Sequence, residues 1–249
     1  MRPHLSRYWL NPNVENFDEF AGETAKISAL YQAAPALAAK GTHVVSCDEK
    51  TGMQALERIA PTKPPAPGQV EKREFEYTRH GTTCLIANLE VATGKVVTPS
   101  IGPTRTEVDF VEHVRRTIAS DIRAPWVFVL DQLNTHLSEG LVRLVAKVCG
   151  ITTDLGRKGR SGVLKSVPSR RAFLCDEKHR IRFVYTPKHC SWMNQIEIWF
   201  SVLAGRLLRR ASFVSIEQLT NRIRKFIDYF NKTLAKPYRW TFTGIPLRK

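Results

Sequence analysis

The sequence predicts an α/β domain in which a mixed sheet is flanked by helices. Three observations carry that prediction. The first hundred residues hold extended, β-branched runs separated by turn signals. W-V-F-V-L (Trp126 to Leu130) is an unbroken apolar run too short for a helix, as a strand buried on both faces would be. From residue 106 onward, segments of helical period alternate with short strands. The 249 residues correspond to one large domain, or one with a small appendage. With 43% hydrophobic and 24% charged residues, 14 Gly and 14 Pro, collagen, knottin and coiled-coil classes are excluded.

Taken in order, Val14 to Ala39 places Phe17, Phe20, Ile27, Leu30, Tyr31 and Leu37 at an approximate helical period that ends near Gly41. Thr42 to Cys47 is a short strand leading into Asp48. Pro61 to Gly68 holds four prolines in eight residues and is a stiff connector rather than an element. Glu74 to Tyr77, Thr82 to Val91 and Lys95 to Ile101 are strands, the last two joined by a turn in which Gly94 supplies a positive φ. Thr106 to Ala119 is a helix capped by Thr104 or Thr106. After the strand Trp126 to Leu130, Ser138 to Cys149 is helical and Gly150 to Ser169 is a Gly- and Arg-rich stretch. Ile181 to Tyr185 is a strand stopped by Pro187. Ser191 caps an apolar helix through Arg210, and Ile216 to Leu234 is the last helix. Three hairpin-connected strands, then helix, strand, helix, strand, helix, is the order of an RNase H-like mixed five-stranded sheet flanked by helices. Residues 1–42 are expected to form a helical lead-in and residues 43–249 the domain proper, with a basic insertion at 150–180.

The charge is one-sided. Residues 1–150 carry 17 basic and 17 acidic side chains, whereas residues 151–249 carry 21 basic and 6 acidic ones, so the whole net charge of +15 lies in the last two-fifths. A field of this shape suits a polyanion, nucleic acid before a membrane surface, since no basic amphipathic helix stands out. No run approaches the 18 uncharged apolar residues of a membrane span, and no signal-like segment opens the chain. A cytoplasmic, nucleoid-associated location is the expectation. Cys47, Cys84, Cys149, Cys175 and Cys190 are scattered without a C-x-x-C pair, and His189 with Cys190 lacks a second pair at ligand spacing, which argues against a disulfide framework or a zinc ribbon.

Three acids stand where a merely solvated carboxylate is out of place. Asp48 follows the first core strand, and Asp131 ends W-V-F-V-L-D at the sheet end where open α/β folds place ligands. Glu197 is the one acid in Trp192 to Leu208, where 11 of 17 residues are apolar. A carboxylate there is costly unless something cationic faces it. Any one of them alone could be an ordinary capping or surface acid. Together they suit hard divalent cations, which take carboxylate oxygens, water and phosphate. Two such ions about 3.5 to 4 Å apart can serve an in-line phosphoryl displacement.

At these residues the sequence resembles a known family. V-V-S-C-D-E-K-T-G (Val44 to Gly52), V-F-V-L-D-Q-L-N-T-H (Val127 to His136) and T-P-K-H-C-S-W-M-N-Q-I-E-I-W-F-S (Thr186 to Ser201) are similar to the three signature blocks of the DDE transposases of bacterial insertion sequences, in the insertion sequence 630 branch related to mariner elements. L-A-K-P-Y-R-W-T (Leu234 to Thr241) extends the likeness to nearly the whole chain. The resemblance implies an RNase H-like fold and a metal-binding, catalytic triad of Asp48, Asp131 and Glu197. It implies two Mg²⁺ or Mn²⁺ ions, nicking of DNA at terminal inverted repeats, transfer of the 3′-OH into target DNA at TA sites, and a homodimer in a synaptic complex. Paired helix-turn-helix modules normally precede this domain, and R-P-H-L-S-R-Y-W-L (Arg2 to Leu10) resembles only their end, so a separate catalytic half is expected. Gln132 stands where Asn is common. The spacing of 66 from Asp131 to Glu197 is long, and the Gly150 to Arg180 insertion accounts for it.

Around the triad, Asn134, His136 and Asn194 are supporting candidates, and His136 is either a satisfied structural histidine or a group that orients the site. Arg157, Lys158, Arg160, Lys165, Arg170 and Arg171, with Lys188, are the candidate DNA contacts, against the simpler reading of a solvated loop. Trp192, Trp199, Ile196, Leu203 and Leu207 follow helical spacing as core. A nuclease on the same fold that does not join strands, and a non-enzymatic fragment that only binds DNA, are the alternatives.

Overall fold

The computed structural model describes residues 16–188 and 190–242. Arg2 to Leu10, expected as the end of a DNA-binding region, and His189, weighed as half of a metal pair, lie outside the described residues.

A 23-residue helix, α1 (Phe17–Ala39), opens the described chain, and the Asn16 side chain caps it by accepting from the N–H groups of Asp18 and Glu19. Its Ile27, Tyr31 and Ala34 are buried against Val44, Val127 and Val129 of the sheet. Five strands follow: β1 (His43–Arg58), β2 (Tyr77–Glu90), β3 (Val96–Gly102), β4 (Trp126–Leu130) and β5 (Ile181–Tyr185). The sheet order is β3-β2-β1-β4-β5. The first three strands pair antiparallel, and β4 and β5 add in parallel. This is the mixed five-stranded arrangement the sequence predicted.

Helices cover both faces. On one, α2 (Glu107–Ser120), α3 (Glu139–Cys149) and α4 (Val167–Leu174) bury Phe110, Val114, Leu141, Val145 and Leu174 against Phe128, Leu130 and Phe183. On the other, α5 (Ile196–Leu203), its π-helical continuation Ala204–Leu208, and α6 (Ile216–Thr233) pack Trp199, Phe200, Ile223 and Phe230 against Leu85, Ala87 and Leu89. Strand β4 is buried at every position, WVFVL, as its composition required. Thr106 caps α2 in a reciprocal box with Asp109, and Ser138 caps α3. Each such cap is worth about 1 kcal/mol.

Besides the strand expected at Glu74 to Tyr77, which is no separate element because β2 runs unbroken from Tyr77 to Glu90, three expectations are corrected. Strand β1 does not stop before Asp48. It continues to Arg58, pairing with β2 across register shifts at Lys50/Met53 and Gln54/Leu56. D-E-K-T-G has the composition of a strand end, but pairing with β2 overrides that local preference. Secondly, the stretch from Gly150 contains a helix, α4, begun by a Ser166–Ser169 box with Pro168 in the first turn. A serine where the usual box has Glu or Gln hid the signal. Finally, Ser191 opens only a short 3₁₀ turn (Ser191–Met193), and the helix proper begins at Ile196.

Candidate active site

Strand pairing brings the first two acids together. In the parallel ladder Ser46 lies opposite Val129. The same register, continued by two residues, sets Asp48 beside Asp131, and the period of two puts both on the α5 face. Asp48 is buried, with 8% of its surface exposed. Its Oδ1 accepts from the Glu49 N–H (2.7 Å) and its Oδ2 from Asn194 Nδ2 (3.2 Å).

Asn194 latches the third block to the first. It is fully buried, donates through Nδ2 to the Cys47 carbonyl as well (2.8 Å), and accepts through Oδ1 from the Ser46 hydroxyl. Ser46 Oγ in turn accepts from the Ile196 N–H (3.1 Å), fixing the first turn of α5 against β1. Glu197 occupies that first turn and is half-buried. Among the described residues, no ion pair reaches Glu197.

The charges of Asp131 and Glu197 are felt at Asp48. Burial, together with the charges of Asp131, Glu197 and Glu49, outweighs the hydrogen bond from the Glu49 N–H and pushes the Asp48 carboxyl up to about 7. At Asp131, burial works in the same upward direction. The contact and charge of His136, the Leu133 N–H and the charge of Arg105 outweigh burial and hold that carboxyl below its usual range. Two neighbouring acids are thus driven apart in acidity. Among the described residues, no three His, Cys, Asp or Glu side chains close into a cage able to hold a metal by themselves. A hard ion that keeps water and phosphate among its ligands asks for one or two carboxylates rather than a cage. The mutual repulsion felt at Asp48 is what a divalent cation would relieve, so the residues fit the Mg²⁺ or Mn²⁺ the resemblance implies.

His136 is fully buried, its Nδ1 2.7 Å from Asp131 Oδ1 and its Nε2 3.0 Å from Glu49 Oε1. Burial opposes its charge, but contact with the two carboxylates prevails and lifts it to about 9. Glu49, only 2% exposed at its side chain, was not singled out in the sequence. Strand alternation was the available signal, because a residue next to Asp48 faces the opposite side of the sheet. Asn134 is exposed in the short 3₁₀ turn Asn134–Leu137. Gln132 donates through Nε2 to the Thr186 carbonyl (2.9 Å), tying the second block to the third.

The candidate DNA contacts divide into two groups. Arg157, Lys158, Arg160, Lys165 and Lys188 are exposed. Arg170 is turned inward, its Nε donating to the Leu137 carbonyl (2.6 Å). Arg171 pairs with Glu23 (2.6 Å) and lies 5.7 Å over the Tyr185 ring. Those two basic residues stitch α4 to its neighbours, and the structure gives them internal partners. Lys188 borders an open cleft of about 340 Å³ beside Asp131, with Gln132, Thr186 and Ser191 among its walls. Trp199, Ile196, Leu203 and Leu207 are buried as expected, whereas Trp192 is 53% exposed, because it sits in the 3₁₀ turn ahead of α5 rather than on the helix.

Residues 43–220 match the family model of the DDE superfamily endonuclease. The chain belongs to that family. No curated protein matches the chain in sequence. Among solved structures, the fold is similar to the Mos1 transposase paired-end complex with left transposon end, at a TM-score of 0.54 and 11% identity over 97% of this chain and 62% of that one. It is similar to the Mos1 mariner paired end complex with Mn, at 0.54 and 12% over 95% and 61%. The catalytic domain of Mos1 mariner transposase aligns at 0.53 and 9% over 96% and 100%. The chain therefore spans about three-fifths of the Mos1 chains in those complexes and the whole of the isolated catalytic domain. At such identities the likeness is one of fold, the RNase H-like sheet with flanking helices.

Proposed function

We propose that this endonuclease is the catalytic part of a transposase of the insertion sequence 630 branch. In this reading it nicks DNA at terminal inverted repeats and joins the released 3′-OH to target DNA at TA sites. The observation that carries the proposal is the placement of Asp48, which is buried, held by Asn194 just ahead of α5, and within the field of Asp131 and Glu197, so that burial first and those charges next raise it to about 7. Asp48, Asp131 and Glu197 would hold two Mg²⁺ or Mn²⁺ ions. Bound there, such ions activate an oxygen nucleophile and stabilise the leaving oxygen of a phosphodiester.

The chain's own residues do the positioning. Asn194 and the Glu49 N–H orient Asp48, and His136 with the Leu133 N–H orients Asp131. Lys188, at the edge of the cleft, and the exposed Arg157, Lys158, Arg160 and Lys165 supply phosphate attraction. Joining two transposon ends calls for a homodimer in a synaptic complex. Transposon-end DNA and Mn in Mos1 complexes of similar fold support this reading.

The test is a gel assay with labelled duplex carrying the terminal repeats, in Mn²⁺. Nicked and joined products are expected from the native chain and from none of Asp48→Asn, Asp131→Asn and Glu197→Gln. Nicks without joined product would identify a nuclease, and binding without nicks a non-enzymatic protein. Either overturns the proposal, as does nicking by any variant above about a tenth of the native rate, which is a barrier change of only about 1.4 kcal/mol.

A further inference from the structure

We propose that Glu49 is a positioning residue for Asp131, acting through His136. The inference rests on the reading of Asp131 as a metal ligand. Strand alternation sends Asp48 and Glu49 to opposite faces of the sheet. Asp48 is met by Asn194 on the α5 side, whereas Glu49 is met by His136 on the side of α2 and α3. One dipeptide of β1 therefore holds both aspartates, Asp48 in place and Asp131 through an imidazole.

The bridge is built rather than incidental. The Glu49 and His136 side chains are 2% and 0% exposed, and they meet at 3.0 Å. The His136 ring packs 4.3 Å from the Phe110 ring, and the Tyr185 hydroxyl donates to the His136 carbonyl (2.7 Å), so both its ring and its backbone are held. At the far end, His136 Nδ1 is hydrogen-bonded to the Asp131 main-chain carbonyl (3.2 Å) and lies 2.7 Å from Asp131 Oδ1, which also accepts from the Leu133 N–H (3.1 Å). Two fastenings on one oxygen stop the carboxylate from rotating. Among the described residues none donates to Oδ2, which is left for a cation. A buried carboxylate is costly, and an apolar side chain would fill its space with less penalty. Its placement behind a histidine that grips a candidate ligand makes Glu49 an outer partner of Asp131, and a ligating carboxylate is in general itself held by such partners, whose loss weakens metal binding.

The test measures Mn²⁺ affinity of the metal-free full chain by the electron paramagnetic resonance signal of hexaaquo Mn²⁺, with circular dichroism to verify folding. Glu49→Leu is expected to weaken Mn²⁺ binding about 10- to 100-fold, while Glu49→Gln, which keeps an acceptor for Nε2–H, restores it to within about 3-fold of the native chain. The double variant Glu49→Leu/His136→Gln should bind no more weakly than His136→Gln alone, because one residue works through the other. Native affinity in a folded Glu49→Leu, or additive weakening in the double variant, would overturn the proposal. Should Glu49→Leu not fold, Glu49→Asp decides. It keeps the charge but is one methylene shorter, and native affinity there overturns the positioning role. Equal affinity of the native chain and Asp131→Asn would overturn the metal reading and this proposal with it, whereas weaker binding in Asp131→Asn without any in Glu49→Leu overturns this proposal alone.

Discussion

Asn194 is the side chain on which two signature blocks meet, and its replacement tests the architecture of the site apart from any chemistry. In Asn194→Ala the Cys47 carbonyl loses its Nδ2 donor, the Ser46 hydroxyl loses its acceptor, and Asp48 Oδ2 loses a donor, all in a buried setting. Leaving a buried polar group without a partner costs about 1 to 3 kcal/mol, more for a charged one. If Asp48 takes up a proton, its share of the cost shrinks, leaving roughly 2 to 5 kcal/mol from the two neutral groups. For a chain of this size each 1 kcal/mol lowers Tm by about 2 to 4 °C, so a drop on the order of 10 °C is expected by calorimetry at pH 7. Asn194→Asp sharpens the expectation. It is nearly isosteric but places a second carboxyl 3.2 Å from Asp48 Oδ2, where the amide donor stood. It should be the less stable variant at pH 8 and recover at pH 5, where the pair shares a proton. A Tm for Asn194→Ala within about 2 °C of the native chain would refute the latch, because that corresponds to less than about 1 kcal/mol.

Stability of the metal-free chain should fall as pH rises from about 6.5 to 9, whereas below 6.5 the fall due to Asp48 is opposed by buried His113, whose desolvation lowers it to about 3, so that there the unfolded chain binds a proton the folded chain does not. The folded-state pKa of Asp48 is raised to about 7, so between its unfolded value and 7 the folded chain binds a proton that the unfolded chain does not. That slope is worth on the order of 4 kcal/mol in all. His136, lifted to about 9, contributes stability that is complete below about 6.5 and lost through 9, roughly 3 kcal/mol. Urea unfolding of the native chain and Asp48→Asn at each pH checks this: the native chain should lose stability relative to Asp48→Asn as pH rises from about 4 to 7, and an unchanged difference between the two across that range would contradict the assignment. Replacing Arg157, Lys158 and Arg160 together by Ala should weaken duplex binding equally for repeat and random sequences and reduce the salt slope by about 0.9 for each phosphate no longer neutralised. Fluorescence anisotropy at several salt concentrations measures this, and an unchanged slope would remove that loop from the interface. Gly94→Ala should destabilise strongly, because Gly94 has φ +70 and an added Cβ would lie 1.9 Å from the Lys236 carbonyl oxygen. A native Tm in that variant would show that the segment after α6 does not pass there.

The parts of the fold legible in the sequence were those where local and tertiary preferences agree. Trp126 to Leu130 and Ile181 to Tyr185 have matching bounds in sequence and structure because apolar runs closed by Asp131 and by Thr186 with Pro187 leave no other reading. The cap of α2, expected at Thr104 or Thr106, is Thr106. Elements were obscured where a neighbour decides. The distal half of β1 is held by β2 rather than by its own composition, and the exposure of Trp192 follows from a break in the helix at Asn194, a residue taken out of helical geometry by its bonds to β1.

The same division governs the site. Asp48, Asp131 and Glu197 stood out as a set, two after core strands and one in an apolar run, although any one alone could be an ordinary capping or surface acid. Arg170 and Arg171 could not be told from their exposed neighbours, since a guanidinium has the same letter whether it meets a phosphate or the Leu137 carbonyl and Glu23. Glu49 and Ser46 were hidden for the opposite reason. Each draws its role from a single long-range partner, His136 at 87 positions away and Asn194 at 148. Separation in sequence leaves no local pattern, and only the sheet, by setting β1 beside β4 and under α5, brings the partners into reach. The carboxylates are thus a property of the sequence, and the asymmetry between them, one raised to about 7 and one held low, is a property of the fold.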